Sequence, residues 1–214
     1  MPRYLCWPMQ RERLVKGLEG WPYPVARSAL PIAMNLSGEA CLLREQLGVE
    51  PAQMLAAYED LSAQSIYLRF MRAKRTPSPE LVSHFLDYNP EQQIALLLTD
   101  MAGRPLAQAQ SIRRRLHPDR AEFSCIVADH FQHRGAGRRI LLALALLARA
   151  GGIAEWTAEV LAQNRPMLLM LKRLGLPLTL VTGREMVFAR LDLSVLDEWL
   201  PAEVVHAITK TKGE

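Results

Sequence analysis

Cysteine is scarce and scattered. Cys6, Cys41 and Cys125 lie far apart, with neither metal-ligand spacing nor a paired framework. That argues against a structural zinc site or a disulfide scaffold and points to a reducing, cytoplasmic setting. Long apolar runs are missing too. The longest, Ile140 to Ala148, falls well short of the roughly 20 residues that cross a bilayer, so no membrane partner is expected. Met1 to Gln10 hold Pro2, Arg3 and Pro8 with no continuous apolar segment, so no secretion signal is read there. Aromatics make up only 7% of the residues, and none are interleaved with the densest run of basic charge. With no base-reading motif present, nucleic acid ranks below a small polyanion as a partner.

What is present has the balance of a soluble globular domain. The chain has 214 residues, half of them hydrophobic and 22% charged, enough for one domain with a sizeable core or one domain with an extension. The formal net charge is +4, unevenly spread. Between Gly103 and Arg139, eight arginines stand against three acidic residues, a local net of +5. Such a rim suits a polyanionic ligand.

Periodicity and punctuation give an order of elements. Pro2, Pro8, Pro22, Pro24 and Pro31 break up the N-terminal stretch to about residue 53. Arg11 to Leu18 reads as a helix, Val25 to Leu36 as the place for a first strand, and Gly38 to Leu47 as a helix with Ser37 as N-cap. Residues 1–53 are expected to form an extension packed on a main domain over 54–192, followed by a helical tail over 193–214. Met54 to Met71 is helical in spacing with a break at Ser62 to Ser65. Lys74 to Pro79 reads as a loop and Glu80 to Leu86 as a short helix. Strands follow at Gln93 to Met101, Leu106 to Ile112 and Ala121 to Ala128, with turns at Ala102 to Arg104 and His117 to Asp119. Ile140 to Ala150 is a helix stopped by Gly151-Gly152. A strand at Ile153 to Leu161, a proline-started helix to Leu174 and two strands at Pro177 to Val181 and Glu185 to Leu191 complete the core. Ser194 is expected to cap a short helix to Trp199, with another over Ala202 to Ile208. The fold class is α/β (α+β), with a mostly antiparallel sheet.

One stretch organises the rest. After the strand come Asp129, His130 and Phe131, then Gln132-His133-Arg134-Gly135-Ala136-Gly137-Arg138-Arg139, then the long apolar helix. Glycines at such a turn let several backbone N–H groups converge on an anion, aided by the positive end of the helix dipole. Arg134, Arg138 and Arg139 add charge. The spacing fits neither the nucleoside triphosphate P-loop nor the dinucleotide Gly-x-Gly-x-x-Gly.

Gln-x-x-Gly-x-Gly after a strand resembles the pyrophosphate loop of the GNAT (Gcn5-related N-acetyltransferase) superfamily. Asn164-Arg165-Pro166-Met167 with Lys172-Arg173-Leu174-Gly175 resembles the segment that closes the CoA site there. Ser62-Ala63-Gln64-Ser65-Ile66-Tyr67-Leu68-Arg69-Phe70, with Asp87-Tyr88 and Ala95-Leu96, looks like the acetyltransferase domain of bacterial protein-lysine acetyltransferases. The resemblance covers roughly residues 55–191. It implies a GNAT fold with a six- to seven-stranded sheet splayed at its central strands. It also implies acetyl-CoA as co-substrate and an amine acceptor, a protein lysine or a small molecule. The CoA site would comprise Ile126, Val127 and Ala128 along the strand, Gln132, His133, Arg134, Gly135, Ala136, Gly137 and Arg138 in the loop, and Asn164. The regulatory domains of larger members are not expected in this length.

Glu122 is the candidate base. It opens the strand where related protein acetyltransferases carry a glutamate, and partial burial by Phe123 would raise its pKa toward that of a useful proton acceptor. The position at which many family members carry an acidic tyrosine holds Leu171. Cys125 reads as core rather than nucleophile, and Asp129 as a loop cap or arginine partner. A GNAT fold that binds acyl-CoA or a partner without turnover is the remaining alternative.

Overall fold

The computed structural model describes residues 7–19, 23–71 and 89–210. Eight strands form one sheet: β1 (Ile32–Leu36), β2 (Glu39–Glu45), β3 (Gln93–Asp100), β4 (Pro105–Arg114), β5 (His117–Val127), β6 (Glu155–Leu161), β7 (Leu178–Thr182) and β8 (Met186–Asp192). Their spatial order is β1-β2-β3-β4-β5-β6-β8-β7, and every pairing is antiparallel except β5 with β6. The helices are α1 (Trp7–Leu18), α2 (Pro51–Glu59), α3 (Ala63–Phe70), α4 (Ala136–Ala150), α5 (Arg165–Leu174) and α6 (Ala202–Lys210). The loop and helix expected over 74–86 lie outside the described residues.

The eighth strand is β2, where a helix was expected over Gly38 to Leu47. Ser37 and Gly38 are not a helix entry. Both have left-handed backbone, φ 53° and 89°, and they close a two-residue hairpin in which Leu36 faces Glu39. Asn35 Oδ1 accepts the Gly38 N–H at 2.9 Å. A turn of that twist requires positive φ at both central residues, and the following alternation then buries Cys41 and Leu43. A second turn also moves. Arg114 faces His117, so the β4–β5 hairpin closes at Arg115-Leu116 and His117 to Asp119 belong to the strand. Ser194 does not cap its helix; its N–H and hydroxyl both donate to Asp192 Oδ1, at 2.8 and 2.6 Å.

Every residue of α4 from Ile140 to Arg149 is buried, as befits a helix that is apolar nearly all round. It packs across β3, β4 and β5. Arg149 is tolerated there because Asp197 takes two of its N–H groups, at 2.6 and 2.9 Å. Phe123 stacks on Trp156 with ring centroids 4.8 Å apart, and the Trp156 indole N–H donates to Ser111 at 2.9 Å. This layer fixes β5 beside β6 at one end.

At the other end the two strands part. They pair only through Arg120–Glu122 and Glu155–Thr157. Beyond Glu122, β5 stays on β4 as far as Val127, while β6 stays on β8 as far as Leu161. A wedge opens in mid-sheet, its vertex at Glu122 and Thr157.

Candidate active site

The wedge leads directly to the glycine loop. Gly135 has φ 84° and is the N-cap of α4, with no side chain capping it. The first bond back into the helix runs from Arg139 N–H to Gly135 O at 3.1 Å. The amides of Ala136, Gly137 and Arg138 therefore lie in the first helical turn, which has no acceptors of its own. The two glycines serve different ends. A Cβ at Gly135 would meet nothing within 4 Å, so its need is conformational and it borders open space. A Cβ at Gly137 would sit 2.6 Å from Met170 Sδ and 3.4 Å from Val127 Cγ2, so its need is close approach of α4 to α5 and β5.

The arginines are engaged elsewhere. Arg134 pairs with Glu39 and lies over the Phe131 ring, 5.1 Å from its centroid. Arg138 donates to the Arg13 carbonyl at 2.6 Å. Arg139 donates to the Gly17 carbonyl at 2.8 Å and the Tyr23 hydroxyl at 3.1 Å. Two of the three thus bind carbonyls of α1, one of them in its final turn, where cations are favoured. Burial pushes the Arg138 pKa down, with Arg139 and Arg13 adding to the effect. With these three side chains engaged, the groups left facing the turn are backbone amides. His133 is exposed, with left-handed φ of 62°.

The loop is tied to α3. The Asp129 carboxylate accepts the Ser62 N–H at 2.9 Å and the hydroxyls of Ser62 and Ser65 at 2.6 and 2.9 Å. Burial pushes this carboxyl up, but those hydrogen bonds outweigh it and hold the group below its ordinary range. Gln132 donates its amide back to Val127 O at 3.2 Å and to Ser65 Oγ at 3.3 Å. Ser62 also caps α3 by accepting from Ser65 N–H. Asn164 caps α5 by accepting from Met167 N–H at 3.2 Å, and reaches the Leu68 carbonyl of α3 at 3.4 Å. The quoted segment Ser62 to Phe70 is therefore a helix held at one end by the loop and near the other by the α5 cap.

Strand register decides which β5 amides face the wedge. Ala128 N–H donates to Leu106 O at 2.9 Å, and the β4–β5 register is regular from there back to Ile112 and Glu122. Antiparallel alternation then turns the amides of Glu122, Ser124 and Ile126 toward β4 and those of Phe123, Cys125 and Val127 toward the gap. Of Ile126, Val127 and Ala128, only Val127 offers its amide there. Cys125 supplies the other, through its backbone, and sequence reasoning missed it. Its thiol is pushed up by burial to about 12, tempered by Arg69, so it is no nucleophile.

Glu122 stands at the vertex and is exposed, contrary to the expected partial burial. The alternation Ala121-Glu122-Phe123 sends its neighbours into the core and Glu122 to the open face. Thr157, Glu159 and Phe188 share that face by register. One further residue, missed in the sequence, lies close by. Arg69 donates to Ser124 Oγ at 2.6 Å and lies over Phe70, 5.0 Å from the ring centroid. Its Nε is buried without a partner, and burial pushes its pKa down while Cys125 and Glu122 push it up. Leu171 is fully buried and faces the core, not the wedge.

A cavity of about 430 Å³ between Val25–Arg27, β3, β4 and the end of α4 touches none of the loop residues. A smaller one lies against β5, lined by Tyr58, Phe70, Ile126 and Ala128 among others. No helix among the described residues is long and apolar enough to cross a membrane, and none of their acidic, histidine and cysteine side chains cluster as a metal site.

The fold recurs in solved structures. The chain superposes on the GNAT domain of S. lividans PAT with a TM-score of 0.71, at 24% identity, over 80% of this chain and 99% of that one. The chain has the GNAT fold. It also aligns with spermidine N-acetyltransferase from Vibrio cholerae, solved in complex with CoA and spermine. There the TM-score is 0.56 at 11% identity, over 72% of this chain and 96% of that one. In sequence it is 28% identical over 147 residues to acetyltransferase Pat of Mycolicibacterium smegmatis, 68% of this chain. It spans 44% of the length of that relative. No family model matches the chain. This GNAT-fold chain thus resembles bacterial protein acetyltransferases in both fold and sequence.

Proposed function

We propose that this chain transfers an acetyl group from acetyl-CoA directly to an amine, and that the amine is a protein lysine. The observation that carries the reading is the wedge at Glu122 opening toward the uncapped start of α4. Backbone amides of Ala136 to Arg138 hold the diphosphate. The amides of Cys125 and Val127 donate to the pantetheine arm and the thioester carbonyl, where negative charge develops during attack. Glu122 takes the proton from the ammonium, directly or through one water. The amine nitrogen then bonds the acyl carbon, the C–S bond breaks, and the nitrogen releases its second proton to solvent as the amide forms. With leucine buried at position 171, the departing thiolate takes its proton from solvent.

The protein acceptor is supported by the resemblance of Ser62 to Phe70 to protein-lysine acetyltransferases, by the similarity to acetyltransferase Pat, and by the open face around Glu122. A second reading is a small polycationic amine, favoured by Glu122 and Glu159 sharing that face with Phe188. Labelled acetyl-CoA offered with cell proteins and with an amine library separates the two. Label in lysine peptides supports the first reading, and label in the amines alone overturns it. Glu122→Gln should lower kcat by roughly 10²–10⁴-fold with thioester affinity retained. Full kcat at every pH would remove Glu122 from the mechanism.

A further inference from the structure

We propose that the tip of the β4–β5 hairpin docks the acceptor polypeptide, with Arg114 and Arg115 taking acidic side chains that flank the acceptor lysine. The proposal rests on the protein-lysine reading above and names the kind of segment that site accepts. Eight arginines lie between Gly103 and Arg139, and the structure gives six of them partners. Arg134 meets Glu39, while Arg138 and Arg139 reach carbonyls of α1. Arg104 pairs with Asp100 at 3.1 Å and Arg120 with Glu155 at 3.4 Å. Arg113 donates to the carbonyls of Pro118 and Gly151. Arg114 and Arg115 are exposed and make no hydrogen bond or ion pair among the described residues. Leu116 follows them at 89% exposure, the highest of any large apolar side chain among those residues.

Strand register sets this tip beside the reaction centre. Ile112 faces Glu122 across β4 and β5, so the two side chains share a face. One step on, Arg113 turns to the opposite face, where it holds the Gly151 carbonyl at the end of α4. Arg114 returns to the face of Glu122, about 7 Å along β4 from Ile112. The register shift after Arg113 falls on β5, whose Pro118 to Arg120 have no partner on β4. Strand β4 therefore runs on unbroken toward the tip. An extended acceptor rises about 3.3 Å per residue, so side chains roughly two to four positions from a lysine at Glu122 come within reach of Arg114 and Arg115.

Charge chooses the partner. Glu122 and Glu159 share one face and suit the lysine itself, while the two arginines suit carboxylates beside it. A guanidinium fork on a carboxylate adds directional selection to the attraction. An anionic bilayer or a nucleic acid offers the same sign of charge. Seated on Arg114, either would cover the face by which an acceptor reaches Glu122. A polypeptide brings its lysine and its carboxylates together, and Leu116 gives it an apolar contact at the rim.

Synthetic peptides carrying one lysine flanked by aspartates, by serines or by arginines test this as acceptors for the full chain, with thiol release from acetyl-CoA as the readout. The aspartate peptide is expected to exceed the serine peptide roughly fivefold in kcat/KM at 0.05 M NaCl, through KM, narrowing to about twofold at 0.5 M. Arg114→Ala with Arg115→Ala should abolish that difference. Arg114→Glu with Arg115→Glu should reverse it, making the arginine peptide the better acceptor, an outcome that a merely structural role of the tip would not produce. Equal kcat/KM for the aspartate and serine peptides, or a preference unmoved in either folded double variant, overturns the docking surface alone. Phosphatidylserine vesicles or a single-stranded RNA bound by the natural chain and released by both double variants would give the tip another partner and overturn it as well. No thiol release with any lysine peptide overturns the protein-lysine reading and the surface with it.

Discussion

Gly137 is the residue where packing is least forgiving. Its hydrogen lies where α4, α5 and β5 meet, and a methyl there would press into Met170. Methionine can move, so Gly137→Ala is expected to cost about 1–3 kcal/mol rather than prevent folding. Thermal unfolding should show a Tm lower by several degrees; an unchanged Tm would mean the contact is slack. Cys125 gives a chemical check on β5. Burial, with Arg69 tempering it, places its thiol at about 12. The thiolate is therefore negligible at neutral pH, and iodoacetamide at pH 7.5 should leave Cys125 unmodified until the chain is unfolded. Rapid labelling of the folded protein at that peptide would contradict the burial. Glu122 shows what the residue order could and could not convey. The apolar neighbours Ala121 and Phe123 suggest partial burial, yet strand alternation turns the carboxylate away from the core. Its position at the parting of two strands depends on β6, more than 30 residues on, and no local pattern records that.

At the scale of elements, α3 is the coupling piece. Its N-terminus is fastened to the loop by Asp129, and its Leu68 carbonyl to the α5 cap by Asn164. Ser62→Ala removes both a cap and a loop tie, so a loss of about 1 kcal/mol is expected. Asp129 adds a pH signature. Burial opposes its ionisation, but the Ser62 and Ser65 hydrogen bonds prevail and its folded pKa lies below the ordinary value. As pH falls, the unfolded chain takes up the proton first. The tie therefore contributes fully at neutral pH and is lost as the pH drops through the folded pKa. Asp129→Asn should erase that acid-limb loss in a plot of stability against pH; a parallel curve would show that the carboxylate does not titrate through this network. The glycines at 135 and 137, the strand before them and the apolar helix after them were legible because each is local. The β1–β2 hairpin was not, since Ser37-Gly38 serves equally as a helix cap or as a turn until its partner strand is known.

For the whole molecule, the arginines near the loop turn out to join layers. Arg138 reaches a carbonyl 125 residues away in α1, and Arg139 one 122 residues away, while Arg134 meets Glu39 beside the β1–β2 turn. In sequence they look like a rim for phosphates, because their partners lie far along the chain. The consequence is measurable. A backbone cradle with its nearest cations engaged should show a shallow salt response, acetyl-CoA affinity weakening about threefold between 0.05 and 0.5 M NaCl. A response of two orders of magnitude would mean that these arginines leave α1 and β2 to meet the ligand.

The cradle itself is tested most directly at Gly135, whose α-carbon borders open space and whose replacement by glutamate brings a negative charge to the start of α4. Acetyl-CoA should be titrated calorimetrically into the natural chain and into Gly135→Glu, with both Tm values recorded. Expected is measurable affinity for the first and none for the second, the variant still melting cooperatively. Equal affinity in a folded variant would contradict diphosphate binding at this loop.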